Sequence, residues 1–289
     1  MKTSVRVAAI SALTKPGERD ENLALIEEWC ERAASEGAEL ALFPELSVCG
    51  FIPNHPLGDH SAWLREALLG ARRMAEPLTG EIVRALTEIA GSAGLLVAAG
   101  MLEDAGNTIY NSTVLVDEDG LAGVWRKMHV PMFEMPFYNG GPAPDVVETG
   151  LGRIGANICF DALLPESTRL LAVENVEVVL FPFAADPAPG TAAAWAEWAG
   201  APLRARCVEN GVFGIACNYA GHVRYAGVEQ TFPGGAMIVG PRGEVLAQQL
   251  DGAPMLVANI EAETLLQARA DPDYLFRFRR PHLYGPLAG

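Results

Sequence analysis

The sequence contains no apolar run that approaches the roughly 18–20 residues needed to cross a bilayer. Its first ten residues, MKTSVRVAAI, form a strand-like pattern without the core of a signal peptide. Positive charge is also scarce: 21 Lys and Arg stand against 36 Asp and Glu, which gives a formal net charge of −15. Phosphate backbones and anionic membranes would repel such a chain. We therefore expect a cytoplasmic protein with neither nucleic acid nor membrane as a partner.

Paired cysteines and metal-ligand clusters are absent as well. The cysteines are odd in number and show no CxxC spacing, which favours free thiols over a disulfide framework; they are Cys30, Cys49, Cys159, Cys207 and Cys217. The histidines outside the motifs described below form no convincing ligand set; they are His55, His60, His222 and His282. We predict no metal site.

What the sequence does have is an alternation of short apolar runs and helix-like segments. Half of its 289 residues are hydrophobic and 20% are charged, as in a globular protein with a sizeable core. The predicted strands are 5–12, 40–43, 95–101, 110–116, 121–127, 154–159, 178–181, 214–218, 236–239, 245–248 and 255–260. The predicted helices are 21–34, 79–93, one that opens near Pro165, and 191–209.

This order predicts an α/β fold in which helices cover β-sheets. No linker, repeat or low-complexity segment divides the chain, so we predict one domain over residues 1–270. Residues 271–289 are rich in arginine, proline and aromatics, which is more typical of a docking arm than of a core element.

Three reactive side chains stand at the ends of predicted strands. They are Glu45 in ALFPEL, Lys127 in VWRKMH and Cys159 in ANICFD. Strand ends in α/β proteins converge on one cleft, where ligands bind. A carboxylate and an ammonium beside buried strands cost free energy unless they are paired or useful. We therefore expect the three groups to meet.

The three groups complement one another chemically. A cysteine can form a covalent acyl intermediate when a base is at hand, and a glutamate in a partly dry cleft can be that base. A lysine supplies fixed positive charge where an oxyanion develops, and removal of such stabilisation costs about 3–4 kcal/mol of barrier. The backbone N–H of Phe160, just after Cys159, is a natural second donor.

With their flanks, these motifs resemble the nitrilase superfamily of carbon–nitrogen hydrolases. The matching segments are LFPEL, RKMHVP, EMPFYNGG, NICFDALLPE, RARCVENGVFGIACN and GGAMIVGPRGEVLA. The resemblance implies an α-β-β-α sandwich with two central mixed β-sheets, a Glu45-Lys127-Cys159 triad and no cofactor. It further suggests Glu134 as a second carboxylate that positions the lysine or assists water. It also implies a homodimer or larger homo-oligomer, with the 271–289 arm docking on a neighbouring subunit.

Around this triad we predict five substrate contacts: Phe160, His129, Tyr138, Phe183 and Ala184. The imidazole of His129 has an equal alternative, a hydrogen bond within a loop. Cys49, four residues after Glu45, is a rival nucleophile, but it lacks the strand–turn–helix context and is better interpreted as core filler. Trp195 and Trp198 lie on a helical pattern and are interpreted as packing residues.

Two departures from the family pattern bear on the substrate. N-carbamoyl amino acid hydrolases often carry arginines just after the cysteine, where this chain has Ala162 and Leu163, so recognition of a carboxylate at that point is not supported. Nitrilases tend to have Trp-Glu after the cysteine and proline in the lysine motif where this chain has His129. We therefore predict hydrolysis of a small linear amide or ureide through a cysteine thioester. A same-fold acyltransferase, a nitrilase and a silent binding protein remain the alternatives.

Overall fold

The computed structural model describes residues 1–52 and 60–288. Its strands are β1 (Ser4–Ile10), β2 (Leu40–Leu42), β3 (Leu96–Asp104), β4 (Ile109–Asp117), β5 (Gly120–Arg126), β6 (Val147–Thr149), β7 (Gly152–Ala156), β8 (Val178–Phe183), β9 (Phe213–Asn218), β10 (Ala220–Tyr225), β11 (Val228–Pro233), β12 (Ala236–Val239), β13 (Val245–Gln249) and β14 (Met255–Glu261). Its helices are α1 (Arg19–Ser35), α2 (His60–Met74), α3 (Glu81–Ala93), α4 (Pro165–Val173), α5 (Ala192–Asn210) and α6 (Ala262–Ala270).

Two six-stranded sheets form the centre of the molecule. The first has the order β14-β1-β2-β3-β4-β5 and the second has the order β13-β12-β9-β8-β7-β6. Both are mixed, because β1, β2 and β3 run parallel in the first and β7, β8 and β9 run parallel in the second, whereas the flanking strands pair antiparallel. Strands β10 and β11 form a separate hairpin.

Apolar side chains fill three layers. Between the sheets, Val7 and Leu42 of the first sheet share a cluster with Leu180 and Ile215 of the second. The outer face of the first sheet is covered by α1, α2 and α3, and the outer face of the second by α4 and α5. The predicted α-β-β-α sandwich is confirmed.

The sequence explains why the central strands lie where they do. Strand β8 reads VVLFPF and is buried along its whole length, as expected for a parallel strand covered on both faces. Helix α3 buries Ile82, Val83, Leu86 and Ile89 on one face and ends at Gly94, whose φ of 67° is a left-handed cap conformation that glycine adopts easily.

The structure differs from the sequence-based expectations at several elements. Strand β7 ends at Ala156 rather than at residue 159, and Cys159 begins a short 3₁₀ turn, Cys159–Leu163. Thr79 is not an N-cap, because α3 begins at Glu81 after Gly80. The elements that the sequence patterns did not predict are α2, α6, β6 and the β10–β11 hairpin. Within residues 1–52 and 60–288, no helix is long and apolar enough to cross a membrane.

Candidate active site

Glu45 and Lys127 form a fully buried ion pair. Glu45 follows β2, Lys127 directly follows β5, and Lys127 Nζ lies 2.7 Å from Glu45 Oε1. The same oxygen accepts a hydrogen bond of 2.6 Å from the Asn111 side chain on β4. The other oxygen, Oε2, is buried and has no hydrogen-bond partner within the described ranges. It is therefore the atom of Glu45 that remains available to accept a proton.

The turn that carries Glu45 depends on a glycine in the adjacent strand. Leu46, the next residue, has a φ of 54°, a conformation that side chains other than glycine rarely adopt. A Cβ atom on Gly100 of β3 would lie 2.2 Å from the backbone nitrogen of Leu46, so only glycine permits this approach. The Gly100 carbonyl accepts from Val48 N–H, and its own N–H donates to Ser47 Oγ. These bonds fix the turn against β3.

A second carboxylate completes the ion cluster. Glu134 Oε2 lies 2.7 Å from Lys127 Nζ and accepts a hydrogen bond from the Tyr138 hydroxyl. Burial alone would lower the pKa of Lys127, but the adjoining Glu45 and Glu134 carboxylates outweigh it and raise that pKa above its ordinary value. Burial raises the pKa of Glu134 despite the nearby lysine. Lys127 is therefore a permanent cation that bridges two acids.

Cys159 stands on a strained turn next to this cluster. Its φ of 49° places a non-glycine residue in the left-handed region, and such strain is concentrated at functional sites. Burial and the Glu45 carboxylate raise the pKa of the thiol well above its ordinary value, whereas Lys127 and the backbone N–H of Ala184 act in the opposite direction. The resting sulfur is thus a neutral thiol that needs a base.

Asp161 ties the Cys159 turn to the Lys127 segment. Its buried carboxylate accepts backbone N–H bonds from Ile158 on one side and from Met128 and His129 on the other. His129 Nδ1 also lies 2.8 Å from Asp161 Oδ1. One side chain therefore sets the distance between the segments that carry the thiol and the ammonium.

A cavity of about 300 Å³ opens above the thiol. The residues that line it are Pro131, Phe133, Glu134, Cys159, Phe160, Leu163, Ala184, Ala185, Asp186, Pro187, Trp198 and Gln230. The pocket is mostly apolar with a few polar groups, as is usual for small-molecule sites.

Comparison with known proteins identifies the family. The family described as carbon-nitrogen hydrolase matches residues 6–270. The chain belongs to the carbon-nitrogen hydrolase family. Within it, the relatives are amidases and nitrilases of the nitrilase superfamily. This carbon-nitrogen hydrolase is therefore an enzyme that acts on carbon–nitrogen bonds other than peptide bonds.

Individual relatives of this carbon-nitrogen hydrolase cover almost the whole chain. The deaminated glutathione amidase of Mus musculus is 29% identical over 97% of this chain and 85% of its own length. The nitrilase of Pyrococcus abyssi is 28% identical over 97% and 99%. Among solved structures, a carbon-nitrogen hydrolase from Helicobacter pylori has a TM-score of 0.81 at 21% identity, covering 99% of both chains. The amidase from Nesterenkonia sp. AN1 has a TM-score of 0.78 at 24% identity, covering 99% and 97%.

The structure brings together the residues predicted to be catalytic and divides those predicted to touch substrate. Glu45, Lys127 and Glu134 form one hydrogen-bonded group, and Cys159 shares the cavity wall with Glu134. Phe160 and Ala184 also line the cavity of this carbon-nitrogen hydrolase.

Three predicted substrate contacts lie outside the cavity wall. Tyr138 is buried behind Glu134. Phe183 packs its ring against Trp195 and Trp198, because side chains alternate along β8 and its neighbour Ala184 faces the cavity instead. The imidazole of His129 contacts Asp161 and Ser167, which corresponds to the loop alternative.

The sequence patterns did not single out four residues of the site: Asn111, Asp161, Asp186 and Gln230. Asp161 carried a usable signal, because a carboxylate beside a buried strand costs free energy unless it is paired, the argument that had identified Glu45. Gln230 carried none, since its hairpin was not predicted. Trp198, expected only to pack, also lines the cavity.

Metal ligands were searched for separately. Within residues 1–52 and 60–288, no three or more His, Cys, Asp or Glu side chains are grouped so that they could hold a metal ion. His55 lies outside the described residues. Cys49, the rival nucleophile, is buried in the core and accepts a hydrogen bond from Leu102 N–H.

Proposed function

We propose that the protein is an amidase that hydrolyses a small linear amide through a thioester on Cys159. One observation carries this proposal: Lys127 is buried between Glu45 and Glu134 at the floor of a cavity whose wall includes the Cys159 thiol. A buried ion cluster of this kind costs stability relative to apolar packing. Its place beneath a thiol gives it a chemical use.

The acylation step follows from the positions of the groups. Glu45 Oε2, which has no partner within the described ranges, accepts the thiol proton as the sulfur attacks the amide carbonyl. The thiol has to be deprotonated during attack, because burial and Glu45 raise its pKa. The Lys127 ammonium and the Phe160 backbone N–H stabilise the oxyanion. The C–N bond then breaks, and the proton held by Glu45 leaves with ammonia.

The deacylation step reuses the same groups. Water enters the space that ammonia leaves, and Glu45 accepts its proton as the water oxygen attacks the thioester carbonyl. The C–S bond breaks, the sulfur recovers the proton from Glu45, and the carboxylic acid departs. Glu134 holds Lys127 in place and, through its raised pKa, shares the acidic character of the cluster. No cofactor takes part in this sequence of steps.

The relatives support an amide as substrate. Besides the deaminated glutathione amidase, an (R)-stereoselective amidase of Pseudomonas sp. is 30% identical over 82% of this chain and 78% of its own length. In structures of the Nesterenkonia amidase, acrylamide and the acetamide moiety of fluoroacetamide are attached at the active-site cysteine. Covalent chemistry at a cysteine is what we propose for Cys159.

The test is ammonia release from a panel of primary amides, N-carbamoyl compounds and nitriles by three proteins. Wild type and Cys49→Ala are expected to release ammonia from amides, and Cys159→Ala is expected to release none while it keeps the wild-type melting temperature. Cys49→Ala is the matched control because it also removes a buried thiol. Ammonia release by Cys159→Ala would disprove the proposal.

Two further readouts separate the alternatives. Intact mass of wild type mixed with amide should show an acyl adduct that Cys159→Ala lacks; a silent binding protein would show neither adduct nor ammonia across the panel. Added hydroxylamine tests acyl transfer, since a transferase would yield hydroxamate at the expense of free acid. We expect free acid to be the main product when hydroxylamine is absent.

A further inference from the structure

The mouth of the cavity is aromatic and carries no positive charge. Phe133, Phe160 and Trp198 line it with side chains that are 45%, 38% and 40% exposed. No lysine, arginine or histidine is among the described residues of its wall. The charged residues of the wall are Glu134 and Asp186.

Those two carboxylates are in different electrostatic states. The charge of Glu134 is compensated by Lys127 at 2.7 Å. Asp186 has no ion pair with any residue in the described ranges, and the side-chain amide of Gln230 donates to its Oδ2 at 2.9 Å. A neutral donor orients a carboxylate without cancelling its charge. Asp186 therefore presents an uncompensated negative charge at the cavity.

The segment that carries Asp186 is held rigidly. Ala185, the residue before it, is bonded on both sides by the buried side chain of Asn218: its N–H donates to Oδ1 at 2.8 Å, and its carbonyl accepts from Nδ2 at 2.9 Å. Gln230, which fixes the carboxylate itself, is only 9% exposed. A binding group on a fixed support loses little conformational entropy when a ligand arrives.

We propose that the substrate is an amide whose acyl chain carries a protonated amine, with Asp186 as the counter-ion and the rings of Phe133, Phe160 and Trp198 around it. This rests on the proposed amidase function. An ammonium gains a charge-assisted hydrogen bond from a carboxylate and is attracted to aromatic faces. A substrate carboxylate in the same place would meet a like charge and no cation. The net charge of −15 adds attraction for cations at long range.

The test compares three primary amides of equal chain length that end in an ammonium, a methyl or a carboxylate group, for example 4-aminobutanamide, pentanamide and 4-carbamoylbutanoate. The series is repeated with chains shorter and longer by one methylene. For wild type we expect kcat/KM to be highest for the amino amide, about tenfold above the methyl compound, and lowest for the carboxylate. The preference should weaken as salt is added.

Variants assign that preference to Asp186. In Asp186→Asn the ratio of kcat/KM for the amino amide to that for the methyl amide should fall about tenfold, whereas Asp119→Asn, which removes the same charge from an exposed site outside the cavity, should keep the wild-type ratio. In Asp186→Lys the carboxylate amide should overtake the amino amide, a gain that loss of folding cannot imitate.

The outcomes that overturn the inference are distinct from failure of the amidase proposal. A wild-type ratio near one, or a high ratio that Asp186→Asn leaves unchanged, would overturn the role of Asp186 while amide hydrolysis stands. If wild type forms no acyl adduct on Cys159 and releases ammonia from no amide of the series, both proposals fall together.

Discussion

At the scale of single residues, Lys127 is the side chain with most at stake. Neither it nor Glu45 has any exposed surface, and breaking a buried pair by removal of one partner typically costs about 3–5 kcal/mol. We therefore expect Lys127→Met to lower the free energy of unfolding by about that amount near pH 8, as well as to abolish ammonia release. Urea denaturation followed by tryptophan fluorescence measures the first effect.

The deficit of Lys127→Met should depend on pH with a definite sign. Wild-type Lys127, whose pKa is raised, stays charged throughout the neutral range. In the variant, Glu134 loses its cation, so a pKa that burial already raises from 4.5 rises further. A folded state that binds more protons than the unfolded state loses stability as pH rises between the two pKa values. The deficit should thus be larger near pH 8 than near pH 6, and an equal deficit at both would contradict this account.

The sequence could identify this cluster only in part. Glu45, Lys127 and Cys159 stand out because each is a reactive residue at the end of an apolar run. Asn111 does not, since YNSTVLV reads as an ordinary strand, and its hydrogen bond to Glu45 spans 66 positions. Similarly, nothing local marks Asp186 and Gln230 as partners, because their contact depends on how the hairpin folds back over the second sheet's loop.

At the scale of elements, two segments that follow different strands are joined through Asp161. We expect Asp161→Asn to lower kcat roughly tenfold to a hundredfold, because its amide would present donors to the N–H groups of Ile158, Met128 and His129. Ser167→Ala, which removes only a 3.3 Å contact with His129, should have a much smaller effect.

The imidazole of His129 reports whether the connection is broken. Its hydrogen bond to Asp161 raises the pKa of His129 above 6.5, although burial opposes the shift. NMR titration of the ring should therefore give a lower pKa in Asp161→Asn than in wild type. An unchanged His129 titration together with wild-type kcat would show that Asp161 does not position the two segments.

Element prediction succeeded where local patterns were strong and failed where they were weak. Strands β8 and β12 and helix α5 were anticipated, because long apolar runs or helical spacing mark them, and Thr191 caps α5 by accepting from Ala194 N–H. The β10–β11 hairpin was not, since AGHVRY and VEQTFP are half polar and bury alternate residues only. The strand end at Cys159 was misplaced because the positive φ that ends it leaves no mark in the residue types.

At the scale of the whole molecule, the C-terminal arm has two kinds of surface. Tyr274 docks on its own chain, where its hydroxyl donates to the Asn210 carbonyl at 2.9 Å. Leu275, Phe278 and Leu283 are 53%, 64% and 58% exposed. A cluster of exposed apolar side chains often marks a protein–protein contact. These three side chains therefore support the sequence-based expectation that the arm meets a neighbouring subunit.

The assembly can be measured directly. Light scattering after size exclusion should give wild type a mass of at least twice the 30.8 kDa of one chain, and Leu275→Ser combined with Phe278→Ser and Leu283→Ser should shift it towards a single chain, because the three lose the apolar area that the contact would bury. Leu69→Ser is the matched control, since Leu69 is 57% exposed but lies on α2, outside the arm. A wild-type mass of one chain, or an arm variant that assembles as wild type does, would exclude the arm as the site of assembly.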